Sequence, residues 1–165
     1  MKLKKILLVL IASTCVLVVP SVAKEKETVK IVYQCDFPDV KRVHLMLNTL
    51  NNAVKHYQST LEDYEINIVA LGPCLQYVMK DFKGTGYVKK PYITKGGPAG
   101  NGTIGRIKSL LMTAGDNMKF WACENTMKKQ NVKAEQIEDF VALTPGGIIK
   151  IVDLQREGAA YIKIM

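Results

Sequence analysis

The spacing of apolar positions changes repeatedly along this chain, and each change marks an element. In TVKIVYQ (28–34) β-branched residues crowd a short run, which predicts a strand. Past Asp36 and Pro38 the apolar positions become Val40, Val43, Leu47, Leu50, Val54 and Tyr57, the spacing of one helix face. Lys41, His44, Asn48, Asn51 and Lys55 fall on the other face, so His44 and His56 are expected to meet solvent rather than a ligand. INIVAL (66–71), MKFWAC (118–123), FVALT (140–144) and AAYIKI (159–164) predict four further strands. TIGRIKSLLMTA (103–114) reads as a helix through Ile104, Ile107, Leu111 and Ala114.

One segment is ambiguous. TPGGIIKIVDLQREG (144–158) is rich enough in Ile and Val for a strand and hairpin, but other signals favour a helix. Thr144 suits an N-cap, Pro145 the first helical position and Gly158 the C′ position, while Lys150, Asp153 and Glu157 make a polar stripe that a strand would not use. Strands alternating with helices predict an α/β fold. The expected architecture is a three-layer α/β/α sandwich on a mainly parallel five-stranded sheet. Such sheets collect ligands and chemistry at the carboxyl ends of their strands. Cys35 follows the first strand, Cys74 follows the second and Cys123 ends the third, so all three are candidates for a rim site. The competing reading makes each a small buried hydrophobe.

The N-terminus sets the compartment in which those thiols are read. Lys2, Lys4 and Lys5 precede the apolar run 6–19, followed by Pro20 and the small-residue site Ser21-Val22-Ala23. This is the pattern of a secretory signal peptide (1–23), cleaved after Ala23, and the run is shorter than the roughly 18–20 residues of a membrane span. IASTC gives a weaker lipoprotein signal, because Thr14 is large and the apolar run continues past Cys15. The expectation is a periplasmic or secreted protein without a stable membrane anchor, its residues 24–165 forming a single domain. Loss of the three lysines lowers the formal charge from +8 to +5. The remaining lysines are scattered and not interleaved with aromatics, which argues against nucleic-acid binding.

Export leaves three cysteines where disulfides can persist, so at least one thiol is unpaired within the monomer. Cys35 and Cys74 can bridge adjacent strand ends and leave Cys123 alone, or all three can stay free. Cys123 stands out because Glu124, Asn125 and Thr126 can cap the following helix, whose unpaired N–H groups would favour thiolate. Glu124 would oppose this if its carboxylate faced the sulfur. No CxxC spacing or nearby histidine supports zinc, and methionines within helical patterns fit core packing better than copper handling, so neither metal nor cofactor is expected. Gly100, Gly102 and Gly105 match GxGxxG, but PYIT stops short of Gly100 and starts with proline, so the strand that a dinucleotide fingerprint needs is missing.

ACENTM (122–127), ALTPGGIIKIVDLQREGAAYIKI (142–164) and the opening KIVYQCDFPD…LMLNTLNNAVKHY together resemble the DsrE/DsrF-like family. The likeness is greatest to a stand-alone branch with a Cys-x-Asn-Thr-Met signature, and it spans nearly all of 24–165. The resemblance implies a five-stranded α/β fold that forms homo-oligomers, often trimers or hexamers. It also implies a persulfide-carrying cysteine after the third strand, at the position of Cys123, that passes sulfur between donor and acceptor proteins. Asn125 and Thr126 would support that thiol from the helix N-terminus, with Cys35, Cys74 and Glu124 on the rim. Two departures stand out: the signal peptide, because characterised relays are cytoplasmic, and a Gly-rich insertion at about 82–103, read as a flexible loop that is either a lid or a surface excursion. Three functions follow: a sulfur carrier or thiol-transfer protein using Cys123, a non-catalytic oligomeric module that binds a small ligand, and a thiol–disulfide enzyme. The last is disfavoured without a CxxC pair.

Overall fold

The computed structural model describes residues 27–87 and 102–165. The expected signal peptide with its cleavage site, Gly100 and most of the expected Gly-rich insertion lie outside them. Strands β1 (Val29–Cys35), β2 (Tyr64–Ala70), β3 (Met118–Cys123), β4 (Val141–Thr144) and β5 (Ala160–Lys163) alternate with helices α1 (Val40–Thr60), α2 (Thr103–Ala114), α3 (Glu124–Lys129) and α4 (Gly147–Arg156). All pairings are parallel, and the sheet runs β4-β3-β2-β1-β5. The α/β expectation holds with five strands, and the sheet is wholly rather than mainly parallel.

Strand alternation sorts side chains onto two unequal faces. Ile31, Tyr33 and Cys35 of β1, Ile66, Ile68 and Ala70 of β2, and Met118, Phe120 and Ala122 of β3 point into one large core. Val43, Met46, Leu47, Leu50 and Val54 of α1 and Ile107 and Leu110 of α2 close that core from above. Asp39 starts α1 by accepting the Arg42 N–H at 3.0 Å. On the opposite face Val32 and Val69 meet Ile151 and Leu154 of α4, with Ala159, in a much smaller cluster. There the sheet also carries polar residues: buried Asn67 accepts the Trp121 Nε1–H at 2.7 Å and donates to Glu65 at 2.9 Å. Lys150 of α4 lies over the Trp121 ring, 4.0 Å from its centroid.

Three expectations need correction. The helix proposed over 144–158 begins at Gly147, with Gly146 as N-cap. Thr144 instead ends β4, paired with Cys123 in the β-ladder, and the chain is still extended at Gly146 (φ −144°, ψ 120°), so the helix cannot start before Gly147. Gly158 does sit just beyond the helix with φ +94°, as a C′ glycine should. His44 is half-buried, its Nε2 3.0 Å from Thr103 Oγ1, because α2 packs over that flank of α1; burial, then the Arg106 charge, pull its pKa down. Finally, 82–87 do not behave as a free loop. Thr85 and Tyr87 are buried, and Tyr87 joins the main core.

Candidate functional site around Cys123

Cys123 occupies the last position of β3 and serves as the N-cap of α3. By alternation its side chain leaves the main core and points to the α4 face, following Trp121 two residues earlier. The chain then runs through α3 and β4 and returns at Pro145-Gly146-Gly147 to start α4 beside the same sulfur. The Gly147 N–H donates to Cys123 Sγ at 3.2 Å. Two helix N-termini thus converge on one thiol, one through the residue itself and one from across the strand.

Gly147 is what allows the approach. A Cβ there would stand 3.1 Å from Leu71 Cβ, 3.3 Å from Cys123 Cβ and 3.4 Å from Val69 Cγ1, so any larger residue would have to push these neighbours aside to keep the amide at the sulfur. Burial pushes the Cys123 thiol up, but the Thr126 hydroxyl and the backbone N–H groups of Thr126, Gly147 and Asn125 outweigh it and hold the thiol below its ordinary value. The Gly147 contact has full hydrogen-bond geometry. The α3 amides act on the sulfur as fixed dipoles without closing a complete cap bond. Glu124 is exposed and is not among the groups that act on the thiol, so the opposition considered from sequence does not arise.

Thr126 is itself held. Its Oγ1 accepts the N–H of Gly72 at 3.0 Å. Gly72 opens the 3-10 turn Gly72–Val78 after β2, and that turn contains Cys74. Cys74 is disulfide-bonded to Cys35 with a Cα–Cα distance of 5.6 Å, which settles the open pairing and leaves Cys123 as the free cysteine among the described residues. The disulfide belongs to the main core. All three cysteines are at strand ends, as expected, but the bridge and the thiol face opposite sides of the sheet, so Cys35 and Cys74 do not join Cys123 in one reactive cluster.

Sequence reasoning found Cys123, Asn125 and Thr126 and missed Gly147 and Gly72. A Thr-Pro-Gly-Gly run ahead of a helix was available as a signal for exposed backbone amides. No sequence feature placed Gly72 beside Thr126. A groove of about 570 Å³ between α1 and α2, lined by Asn48, Asn51, Arg106, Ser109 and Thr113 among others, lies on the face away from Cys123. Among the described residues no group of His, Cys, Asp and Glu is arranged to hold a metal ion, and no helix is long and apolar enough to cross a membrane.

No protein-family model matches the chain, and no curated protein matches its sequence. Solved structures do. MTH1491 of Methanobacterium thermoautotrophicum, a protein of unknown function, superposes with a TM-score of 0.58 at 24% identity over 82% of this chain and 98% of its own. The YchN protein of E. coli superposes with a TM-score of 0.50 at 13% identity over 82% of this chain and 99% of its own. At these identities the likeness speaks for architecture, and it agrees with the parallel five-stranded sheet described above: the chain has an α/β fold of the DsrE/YchN type.

Proposed function

We propose that this protein is a sulfur carrier or thiol-transfer protein whose working group is Cys123. The observation that carries the reading is the 3.2 Å contact from the Gly147 N–H to Cys123 Sγ, made by the N-terminus of α4 upon the side chain of the residue that stands at the N-cap position of α3. Amide dipoles aimed at a sulfur stabilise negative charge there, and the thiolate is the nucleophilic form. The Cys123 thiolate attacks the outer sulfur of a donor persulfide R–S–SH. The Cys123 S–S bond forms, the donor S–S bond breaks, and the donor leaves as R–S⁻, with no net oxidation. Delivery reverses these steps: an acceptor thiolate takes the outer sulfur and Cys123 departs as thiolate, a better leaving group for its lowered pKa.

Export remains part of this reading, with residues 1–23 as the signal; the Cys35–Cys74 disulfide supports it, because such bonds persist in oxidising compartments. Homo-oligomer formation, as a trimer or hexamer, is part of it too. Ile148, Ile149 and Val152 stand exposed on α4 close to the site, and a second copy would cover them. The alternative is a non-catalytic module holding a small ligand, which the α1–α2 groove favours. Intact mass spectrometry of protein purified from its own compartment, with Cys123→Ser beside it, separates the two. A carrier shows a reductant-labile gain of about 32 Da per sulfur atom that is absent from the variant. Unmodified, slowly alkylating Cys123 with ligand binding preserved in Cys123→Ser would transfer the case to the binding module.

A further inference from the structure

The groove between α1 and α2 has no part in the thiol chemistry. At about 570 Å³ it is large enough to take a small molecule. Leu47 and Leu110, 2% and 6% exposed, form its apolar floor, and Asn48 and Asn51 of α1 face Arg106 and Ser109 of α2 along its polar walls. Bonds that cross from one helix to the other fix its width: Arg106 Nη2 donates to Asn48 Oδ1 at 2.7 Å, and Gln58 Nε2 donates to Thr113 O at 2.9 Å.

The fold gives no account of two features of this groove. The first is its unused polar groups. Arg106 is the one charged residue in the lining, and no carboxylate pairs with it among the described residues. Its bond to the neutral Asn48 leaves guanidinium donors to spare, and the side chains of Asn51 and Ser109 have no protein partner among the described residues. The second is Gly105, in the first turn of α2, where glycine is the least favourable residue short of proline. Its φ is not in the left-handed region, and a Cβ there would meet no atom within 4 Å, so neither conformation nor packing calls for glycine. What its missing side chain does is leave the α2 backbone bare along the groove, next to Arg106.

We propose that the α1–α2 groove is a binding site for a small hydroxylated organic anion: Arg106 holds the charged group, Asn51 and Ser109 hold hydroxyls, and the carbon body lies against Gly105 and the leucine floor. A guanidinium fork matches the paired oxygens of a carboxylate or a phosphate. Carboxamides and hydroxyls both donate and accept, as the hydroxyls of a sugar-like ligand require. Glycine permits a ligand to approach the backbone closely. A neutral ligand would leave Arg106 unused, and an apolar one would strand Asn51 and Ser109. Occupancy of the groove makes no demand on Cys123, so this proposal and the carrier reading stand or fall separately.

The test is isothermal titration calorimetry of the oxidised protein with D-gluconate and with D-glucose 6-phosphate, each beside its uncharged counterpart, D-glucitol or D-glucose. At least one anion should bind with a Kd at or below about 1 mM, and which one binds identifies the charged group as carboxylate or phosphate. Arg106→Gln should weaken that binding at least about tenfold and Asn51→Ala about fivefold. Gly105→Ala should raise the thermal midpoint yet weaken binding at least about tenfold, a pair of opposed effects that a role in folding alone would not give. Cys123 alkylation in all three variants should overlay the wild type, as expected for intact folds with a change confined to the groove. The proposal is overturned if neither anion binds in this range, if the uncharged counterparts bind as tightly, or if Arg106→Gln binds like the wild type. A Gly105→Ala protein that gains stability and binds as before would also overturn it.

Discussion

The two faces of the sheet differ in cover, and the difference separates stability from chemistry. One face lies under α1, 21 residues long, and α2, 12 residues long, and holds most of the buried apolar side chains together with the Cys35–Cys74 bridge. The other is crossed by α4, ten residues long, whose Ile151 and Leu154 meet few partners, and it carries Asn67, Trp121 and Cys123. A thin layer stabilises little, but it brings a helix terminus to a sulfur, with the buried Gly147 N–H on Cys123 Sγ. The lesson is that the oxidised cysteines belong to the folding problem and the reduced one to the site.

The largest effect that would test this division is on the thick face. Phe120→Ala, at a position 2% exposed, should cost about 3–5 kcal/mol in a urea titration, whereas Ile149→Ala on α4, at a position 64% exposed, should stay within about 0.5 kcal/mol. Equal losses would abolish the contrast. Next in size, Cys74→Ala should cost about 3–4 kcal/mol, as expected for a loop closed over a sequence separation of 39, read from the same titration of oxidised protein. Gly147→Ala should cost about 1–3 kcal/mol, because its new Cβ presses on Leu71 and Cys123, and it should also slow Cys123 alkylation at pH 7 as the amide is pushed off the sulfur. Stability lost with the alkylation rate intact would show that the amide has no hold on the thiol. The smallest stability effect belongs to Ile148→Ser combined with Val152→Ser: near neutral for the monomer, yet expected to shift sedimentation toward smaller species if α4 is an interface between copies.

How much of this could be read in advance depended on the range of the interaction. β3 was legible from Met118 to Cys123 because its alternation and the helix-starting residues behind it are local signals. Cys123 stood out for the same reason. Thr144 was read both as the end of the strand 140–144 and as a helix cap; the strand role holds, and the cap role falls to Gly146. His44 was placed in solvent because a single amphipathic helix cannot show that α2 will cover its flank. Gly147, 24 residues from the sulfur it serves, and Gly72, 54 residues from Thr126, become visible when β3 sits between β2 and β4. Hydrophobic periodicity specifies faces, not which backbone amide ends up at a given atom.

The lowered thiol also has a thermodynamic consequence. Because native Cys123 ionises at lower pH than the unfolded chain, its contribution to stability is present above the unfolded value and is lost as pH falls through the folded one. Relative to Cys123→Ser, the wild type should therefore gain stability as pH rises across that window. The most direct test of the central claim, that the fold lowers the pKa of Cys123 and so favours its thiolate, is the midpoint of its alkylation rate against pH, measured in native protein and again in urea with the disulfide kept closed. A native midpoint below the unfolded one is the predicted result. A native midpoint at or above it would mean that burial outweighs the amides of Gly147, Thr126 and Asn125, and would contradict the reading of this sulfur as an activated group.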